Sequence, residues 1–450
     1  MLKKGLVIGK LIEAILRDRI SLDVSRNQNI FQRGFTKNSS PLNAAFIIEE
    51  LYRESKDSKT ELNLILLDAK SAFDVVDHQH LLRRLYHMGV SDLHWNILES
   101  FHKDSVSSIK WRGRISSEFH VQQGVRQGGV LSTDLYKIYV NPLLNRLQDA
   151  NIGSTIGGVR CSARACADDI CLCAEAASDS QELLNIAVEF ANMERYLLQP
   201  AKSVHIRIHH QRRTKHQQSL FMNDSKLSSV KKSLHLGIIR TDSVLNNQRE
   251  NVEENVKKAR RKAYSLFGSG YKGQTGLDVS TVVYLYKTYI VPVLLYGMEI
   301  LLPPVNLVHK LETFQRKLVK EILRLPDNTA NPAIQVITGL PVEAQIHLRA
   351  LTFLHTIASQ EDSSAEKQIM YRQLQVKSVE SSSWFIAIQH ILWRYDLGTI
   401  QQLIEYLPTK QQWKGQIHGA VNKYWISSRC ILHLIFLRMT LLYRGELFHW

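Results

Sequence analysis

A chain of 450 residues, 44% of them hydrophobic, exceeds what one domain usually holds, which excludes a small single-core module and predicts two or three subdomains. The 57 Lys and Arg against 42 Asp and Glu leave a net charge of +15, which favours a polyanionic partner without choosing between nucleic acid and an anionic membrane. The five cysteines, Cys161, Cys166, Cys171, Cys173 and Cys430, form neither a CxxC pair nor a Cys/His ligand set, so reduced thiols inside a cell are expected. No signal peptide precedes the first helix-like stretch. The apolar run 431–442 is too short to span a bilayer and is broken by His433 and Arg438, so the chain reads as soluble, with no membrane partner.

Met1 leads almost at once into a mostly apolar, helix-like stretch that includes Leu11, Ile12, Glu13 and Leu16, and with no domain ahead of it the chain reads as a piece of something longer. Ser39, Ser40 and Pro41 mark a helix start with Pro at the first helical position, and Leu42, Ala45, Phe46, Glu49, Glu50 and Leu51 follow at helical spacing. The nearly unbroken apolar run Leu62-Asn63-Leu64-Ile65-Leu66-Leu67 predicts a central strand buried on both faces. Residues 80–88 and 92–101 read as amphipathic helices, and 107–121 alternates polar and apolar residues around Gly113 as a hairpin would. A second hairpin is expected about Ala167-Asp168-Asp169, followed by a helix from 180 to about 197. From Asn251 the residues Val252, Val256, Ala259, Ala263 and Leu266 recur at helical spacing, while Lys257, Lys258, Arg260, Arg261 and Lys262 fill the other side. Beyond Val279 the pattern is mostly helical, with loops at Ser363-Ser364 and Ser381-Ser382-Ser383. Strands and helices alternate in the first half, so the fold class is α+β.

Three acids stand in unusual places. Asp68 ends the buried strand, and Asp168 and Asp169 lie between two apolar strands. Two carboxylates about 4 Å apart at an effective dielectric of ~20 repel by about 4 kcal/mol, so a proton or a cation must compensate. A divalent metal with hard oxygen ligands is the natural compensator. The plain alternative is that Asp168 and Asp169 are turn acids and Asp68 a helix cap.

The surrounding residues decide between these. Leu67-Asp68-Ala69-Lys70-Ser71-Ala72-Phe73-Asp74, then Gly124-Val125-Arg126-Gln127-Gly128-Gly129-Val130-Leu131-Ser132, then Ala167-Asp168-Asp169 resemble motifs A, B and C of reverse transcriptases, in that order. Phe31-Gln32-Arg33-Gly34-Phe35 with Ser39-Ser40 is similar to the fingers motif of LINE-type enzymes, Gln199-Pro200-Ala201-Lys202 to motif D, and Leu234-His235-Leu236-Gly237-Ile238 to the primer-grip hairpin. Pro292-Val293-Leu294-Leu295-Tyr296-Gly297-Met298-Glu299 resembles a segment that follows the polymerase core in many non-LTR elements.

The resemblance implies an RNA-directed DNA polymerase of a non-LTR retrotransposon with a right-hand fold: fingers in 1–60, lacking their N-terminal part, a palm with an antiparallel sheet and inserted fingers elements in 61–240, a helical thumb in 245–330, and a helical region of unknown role in 331–450. It implies two Mg²⁺ ions, with Mn²⁺ as a substitute, held by Asp68 and Asp168 with Asp169 beside them and the Ala69 carbonyl as a further ligand. Phe73 matches the bulky residue that excludes a ribose 2′-hydroxyl, with core packing as its plain alternative, whereas Asp74 matches an acid that is not a ligand. In motif B, glycines 124, 128 and 129 let backbone approach a base pair, Arg126 and Gln127 can bond template or nucleotide, and Ser132 caps the following helix. Lys202 would sit near the triphosphate as a cation or as the acid that protonates pyrophosphate. The implied partners are an RNA template, a DNA primer, their duplex and dNTPs.

Leu236 and Gly237 would touch the primer, Arg33 and Lys37 the template, and Lys257, Lys258 and Arg261 the duplex phosphates; a solvated helix face or a nuclear-import signal is the other reading of that helix. The run His209-His210-Gln211-Arg212-Arg213 with Lys215-His216 is expected to be an exposed basic loop without a metal. Thr133, Gln199 and His235 depart from the family's usual Pro, Asn and Tyr without removing a catalytic group. No endonuclease-like segment lies upstream and no zinc knuckle downstream. Two functions therefore stand side by side: an active polymerase, expected in the nucleus because it must reach chromosomes, and an inactive copy that binds nucleic acid by its basic face. A group II intron maturase or a telomerase polymerase has no supporting segment beyond the shared core.

Overall fold

The computed structural model describes residues 7–103, 105–194, 196–209, 218–268 and 277–427. His210 to His216 of the basic run, Cys430 and the apolar run 431–442 lie outside the described residues. The chain divides into two compact units, Met1–Asp242 and Ser243–Trp450.

The first unit opens with helices α1 (Val7–Asn27) and α2 (Pro41–Ser58), then strand β1 (Leu62–Leu67), α3 (His78–His87) and α4 (Asp92–His102). Four short strands, β2 (Val106–Ser107), β3 (Lys110–Trp111), β4 (Arg114–Ile115) and β5 (Phe119–His120), form one long hairpin that leads to α5 (Ser132–Asp149). The minor pair β6 (Thr155–Ile156) and β7 (Val159–Arg160) precedes β8 (Ala163–Cys166), β9 (Asp169–Ala174), α6 (Ala177–Met193) and β10 (Val204–Ile208). The pair β11 (Phe221–Met222) and β12 (Ser225–Lys226), the edge strand β13 (Ser228–Ser229) and the hairpin β14 (Lys232–His235) with β15 (Ile238–Thr241) complete the unit.

All six residues of β1 are buried, as an apolar run without alternation requires. It is the middle strand of a sheet ordered β13-β10-β1-β9-β8. Its pairings with β9 and β10 are antiparallel, as is β8 with β9, but β13 joins β10 in parallel, so the sheet is mixed at one edge. The expected α+β class therefore holds. The helix expected to reach about 197 stops at Met193, because Leu198 is drawn into an antiparallel bridge with Ala69. That bridge matters to the site described below.

A buried ion pair joins α2 to the β14–β15 hairpin. Glu49 and Arg240 are both fully buried, with Arg240 Nη1 3.2 Å from Glu49 Oε2, and Arg240 Nη2 donates to the Ala45 carbonyl at 2.9 Å. The Tyr52 hydroxyl donates to the Thr241 carbonyl at 2.7 Å. Two acids that looked like ordinary members of an amphipathic helix, Glu49 and Glu50, thus lie inside the unit.

The second unit begins with α7 (Val244–Phe267), seven residues earlier than the apolar periodicity from Asn251 indicated. The difference has a plain cause: the first half of the buried stripe is made of amides, Asn247, Gln248, Asn251 and Asn255, which hydropathy reads as surface. They satisfy backbone carbonyls of an irregular segment. Asn255 Nδ2 donates to Leu294 and Tyr296 at 3.2 and 2.8 Å, and Gln248 Nε2 to Leu301 at 2.9 Å. Helices α8 (Val279–Leu285), α9 (Val291–Leu294), α10 (Met298–Leu301) and α11 (Val305–Leu323) follow, with a π-helical turn at Tyr286–Ile290, and the rest of the unit is helical to Ser427. No helix among the described residues is long and apolar enough to cross a membrane.

Burying one charge without its partner is far more costly than burying neither. Arg240→Met is accordingly expected to lower unfolding free energy by about 3–5 kcal/mol, whereas the Glu49→Leu/Arg240→Met pair loses less. Urea denaturation of both variants checks this; a single-variant loss under about 1 kcal/mol would show the pair to be solvated.

Candidate active site

The β8–β9 hairpin turns on two residues, Ala167 and Asp168, with Cys166 paired to Asp169. Ala167 has φ +58, so the turn has the left-handed first position that glycine usually fills. Alanine is held there from outside. Gln32 and Ala165 form a parallel bridge, with Arg33 N bonding the Ala165 carbonyl at 2.8 Å and Ala165 N bonding the Phe31 carbonyl at 3.0 Å. Gln32 Oε1 then accepts from both Gly34 N at 2.8 Å and Ala167 N at 3.0 Å. A Cβ at Gly34 would stand 2.4 Å from Ala167 N, so only glycine lets the two backbones approach this closely. Sequence alone gives Gln32 no role of its own beyond its place between Phe31 and Arg33 in the fingers-like motif.

Register does the rest. Leu66 pairs with Cys171 and Leu67 with Ile170, so the next residue of the β1 strand, Asp68, runs level with Asp169. Asp68 and Asp168 are half-buried, and the Asp169 side chain is exposed at the head of β9. Desolvation and then the charges of Asp168 and Asp68 raise the Asp169 carboxyl above the ordinary value. The charges of Asp68 and Asp168 therefore both act on Asp169, although no three His, Cys, Asp or Glu side chains among the described residues already converge as a metal-holding group.

The 197–203 segment closes over Asp68. Lys70 N bonds the Leu197 carbonyl and Gln199 N the Asp68 carbonyl, at 2.8 and 2.9 Å; neither bond uses the Ala69 carbonyl. Ser203 Oγ accepts from Asp68 N at 3.0 Å, Gln199 Nε2 donates to Asp68 Oδ2 at 2.7 Å, and Lys202 Nζ lies 4.0 Å from the same oxygen. The departure from Asn at Gln199 thus still reaches the carboxylate. Lys202 is 64% exposed, so this pair adds little stability and leaves the ammonium free to turn.

Phe73 is half-buried and stacks on Tyr136 of α5, with centroids 4.4 Å apart and rings 19° from parallel. The Tyr136 hydroxyl in turn meets that of Tyr196 at 2.9 Å. Motif B reaches the same loop through its backbone: Val125 N bonds the Phe73 carbonyl and Gly124 N that of Val76, at 2.8 and 2.7 Å. Arg126, Gln127 and Gly128 are exposed, with Gly128 at φ +81. Ser132 does not cap α5 as expected. Its hydroxyl donates to the Arg126 carbonyl, and the helix start is served by Glu13 of α1, whose carboxylate accepts from Val130 N and Leu131 N. Sequence reasoning gives Glu13 no such role; the one available signal is that it is an acid within a mostly apolar helix-like stretch.

Leu236 and Gly237 form the turn between β14 and β15 with φ +50 and +79, the pattern of a type I′ turn. His235 beside them is buried, and neither ring nitrogen has a hydrogen-bond partner among the described residues. Burial, and then the Arg240 charge, holds its imidazole down to about 3. Arg33 is half-buried and Lys37 exposed near the Gln32 bridge. Lys257 and Arg261 are exposed on α7 and Lys258 half-exposed, with Arg261 3.2 Å from Glu254; these belong to the second unit.

A mixed sheet thus carries paired acids at one strand end, with a glycine loop bonded to the segment after Asp68 and a lysine segment beside it. Residues 5–239, just over half of the chain, match the family "Reverse transcriptase (RNA-dependent DNA polymerase)", and the chain belongs to that family. It is 24% identical over 329 residues to the Retrovirus-related Pol polyprotein from type-2 retrotransposable element R2DM of Drosophila melanogaster, covering 71% of this chain and 30% of that protein. To the RNA-directed DNA polymerase from mobile element jockey of Drosophila funebris it is 26% identical over 330 residues, 71% of this chain and 35% of that one. The relatives are non-LTR retrotransposon polymerases, as the motifs implied. The match spans about a third of either relative's length. The solved structure of apo telomerase from Candida tropicalis aligns with 90% of this chain and 61% of its own at 11% identity and a TM-score of 0.39, too low for a comparison of folds.

Two outcomes follow from the packing. Gly34→Ala overpacks the contact with Ala167 and is expected to cost about 1–3 kcal/mol; an unchanged melting temperature would mean the two backbones do not touch. His235 remains neutral in the folded chain, whereas an unfolded histidine binds a proton near pH 6.5. Because the folded value is depressed, stability is present above pH 6.5 and lost as pH falls toward 3. Between pH 7 and 5 the wild type should lose about 2 kcal/mol more than His235→Leu, measured by urea midpoints; equal losses would place a proton on the buried ring.

Proposed function

We propose that the chain is an RNA-directed DNA polymerase that extends a DNA primer on an RNA template. The observation that carries this reading is the common field of Asp68, Asp168 and Asp169 at the ends of β1 and the β8–β9 hairpin, inside the segment that matches the family. Hard oxygen donors carrying a cluster of negative charge suit Mg²⁺, or Mn²⁺ in its place. Asp68 and Asp168 would hold two ions, with Asp169 and the Ala69 carbonyl beside them; when bound, the ions would activate the primer 3′-hydroxyl and stabilise the departing pyrophosphate.

The chain's own groups do the remaining work. Gln199 fixes the orientation of the Asp68 carboxylate, and the Gln32 bridge holds Asp168 at the tip of its turn. Lys202, exposed and near Asp68, is placed to neutralise the triphosphate or to give a proton to the leaving oxygen. The Phe73 ring, braced flat against Tyr136, presents a fixed wall where a ribose 2′-hydroxyl would clash. The exposed Arg126-Gln127-Gly128 turn contacts the incoming nucleotide, and Leu236 and Gly237 the primer, while Arg33 and Lys37 meet the template. Lys257, Lys258 and Arg261 neutralise duplex phosphates without reading sequence. In this reading residues 1–60 serve as fingers, 61–240 as palm and 245–330 as thumb, and the polymerase acts in the nucleus.

Primer extension on RNA with dNTPs and Mg²⁺ tests the proposal. Asp168→Asn is expected to abolish incorporation, and Lys202→Ala to slow it by about a hundredfold while primer–template binding is retained. Undiminished extension by Asp168→Asn would overturn the assignment. Salt-sensitive binding of nucleic acid with no extension by the wild type would instead identify an inactive, binding-only copy.

A further inference from the structure

The long hairpin between α4 and α5 plays no part in the site described so far, yet its tip has an unusual composition. Every residue from 109 to 120 is exposed, including Trp111 at 71% and Ile115 at 68%. Ile109 and Phe119 are exposed too, so the tryptophan is one of four large apolar side chains that this short hairpin leaves in water. Lys110, Arg112 and Arg114 alternate around it, with Glu118 as the single acid of the exposed stretch, and none of the three cations has an ion pair among the described residues.

The turn itself is made against local preference. Arg112 and Gly113 have φ +46 and +82, a type I′ turn whose first position favours Asn, Asp or Gly. Holding an arginine there costs on the order of 1–2 kcal/mol. That conformation sends its guanidinium back over the indole, 5.9 Å from the ring centroid. Trp111 and Arg114 are direct cross-strand partners, so ring and second guanidinium share one face of the ladder. A cation thus stands near the indole, while Trp111 stays 71% exposed.

The base of the hairpin is continuous with the site. Val121 N bonds the Ser105 carbonyl at 2.7 Å, Gln123 bridges Asp77, and the next two residues, Gly124 and Val125, carry the backbone bonds to Val76 and Phe73. From there the same strand enters the exposed Arg126-Gln127-Gly128 turn.

We propose that the 109–120 hairpin is a docking site for single-stranded nucleic acid, the unpaired part of the template, with a base stacked on Trp111 and phosphates on Arg112 and Arg114. The identity of the strand as template rests on the polymerase reading; the stacking site does not. Stacking on an aromatic ring with flanking cations is tolerant of sequence, which suits a strand that must be copied whatever its bases.

The test compares binding of two RNA–DNA primer–templates, one with an overhang of about 12 nucleotides, within the span of such sites, and one nearly blunt. The full chain with Asp168→Asn is used without dNTPs, so loss of polymerase activity and loss of docking are read separately. The parent should bind the long overhang more tightly than the blunt duplex. Trp111→Ala should weaken the long overhang about tenfold and leave the blunt duplex unchanged, and Arg114→Ala should lower the salt slope for the long overhang by about one. Arg112→Asn separates docking from folding, because Asn accepts positive φ: its melting temperature should equal or exceed the parent's while overhang affinity falls. Unchanged overhang affinity in Trp111→Ala and Arg112→Asn overturns the proposal, as does an equal loss on both substrates. Self-association that depends on Trp111 with overhang affinity intact would show the tip to be a protein contact and overturn it too.

Discussion

The register of β1 against β9 governs the site. Pairing Leu67 with Ile170 brings Asp68 level with the turn that carries Asp168, and a slip of one residue would point every side chain of β1 to the opposite face. Because β1 is buried on both faces, apolar burial alone does not choose the register; the one polar residue of the strand, Asn63, does, since only this pairing lets it meet His205 Nε2 at 2.9 Å and the Glu175 carbonyl at 3.0 Å. Even two carboxylates about 4 Å apart at a dielectric of ~20 would repel by only about 4 kcal/mol, small beside the burial of an apolar strand in which each large side chain contributes about 1.5–3 kcal/mol.

Around this register the first unit places a second layer of constraints made of backbone rather than side chains. The Gln32 bridge braces the β8–β9 turn, the Leu198 bridge braces the chain after Asp68, and the Gly124-Val125 bonds brace the loop that holds Phe73. Each fixes one of the segments that carry a candidate site residue, while Lys202, Arg126 and Gln127 stay exposed. The β14–β15 hairpin is tied to α2 in another way, by a fully buried Arg240–Glu49 pair, and carries a buried His235 whose ring nitrogens have no hydrogen-bond partner among the described residues. The second unit uses amides for the same purpose, with Asn255 and Gln248 paying the hydrogen-bond needs of a backbone that is neither regular helix nor strand.

Much of this was legible residue by residue, and the exceptions share a cause. The central strand, the two hairpins, the Pro41 helix start and the α3 and α4 helices follow from periodicity and turn chemistry. The missed features are polar groups that are buried because another segment satisfies them: Glu49, the amides at the start of α7, Glu13 at the α5 terminus and Gln32 over Ala167. Hydropathy scores such residues as surface, and only the partner, often more than a hundred positions away, shows otherwise. The helix that ended early did so for a related reason, since Leu198 was taken by Ala69 rather than by its own helix.

By itself the sequence determined the α+β class, the order of the motifs, the three acids and the family, because these depend on residue types and on short spacings that local chemistry dictates. Tertiary structure alone decided which strands flank β1, that an alanine rather than a glycine sits at positive φ in the turn before Asp168, and which distant side chains hold the acids in place. These depend on contacts between segments far apart in the chain, where the energy of satisfying a buried polar group outweighs the preference of any single residue.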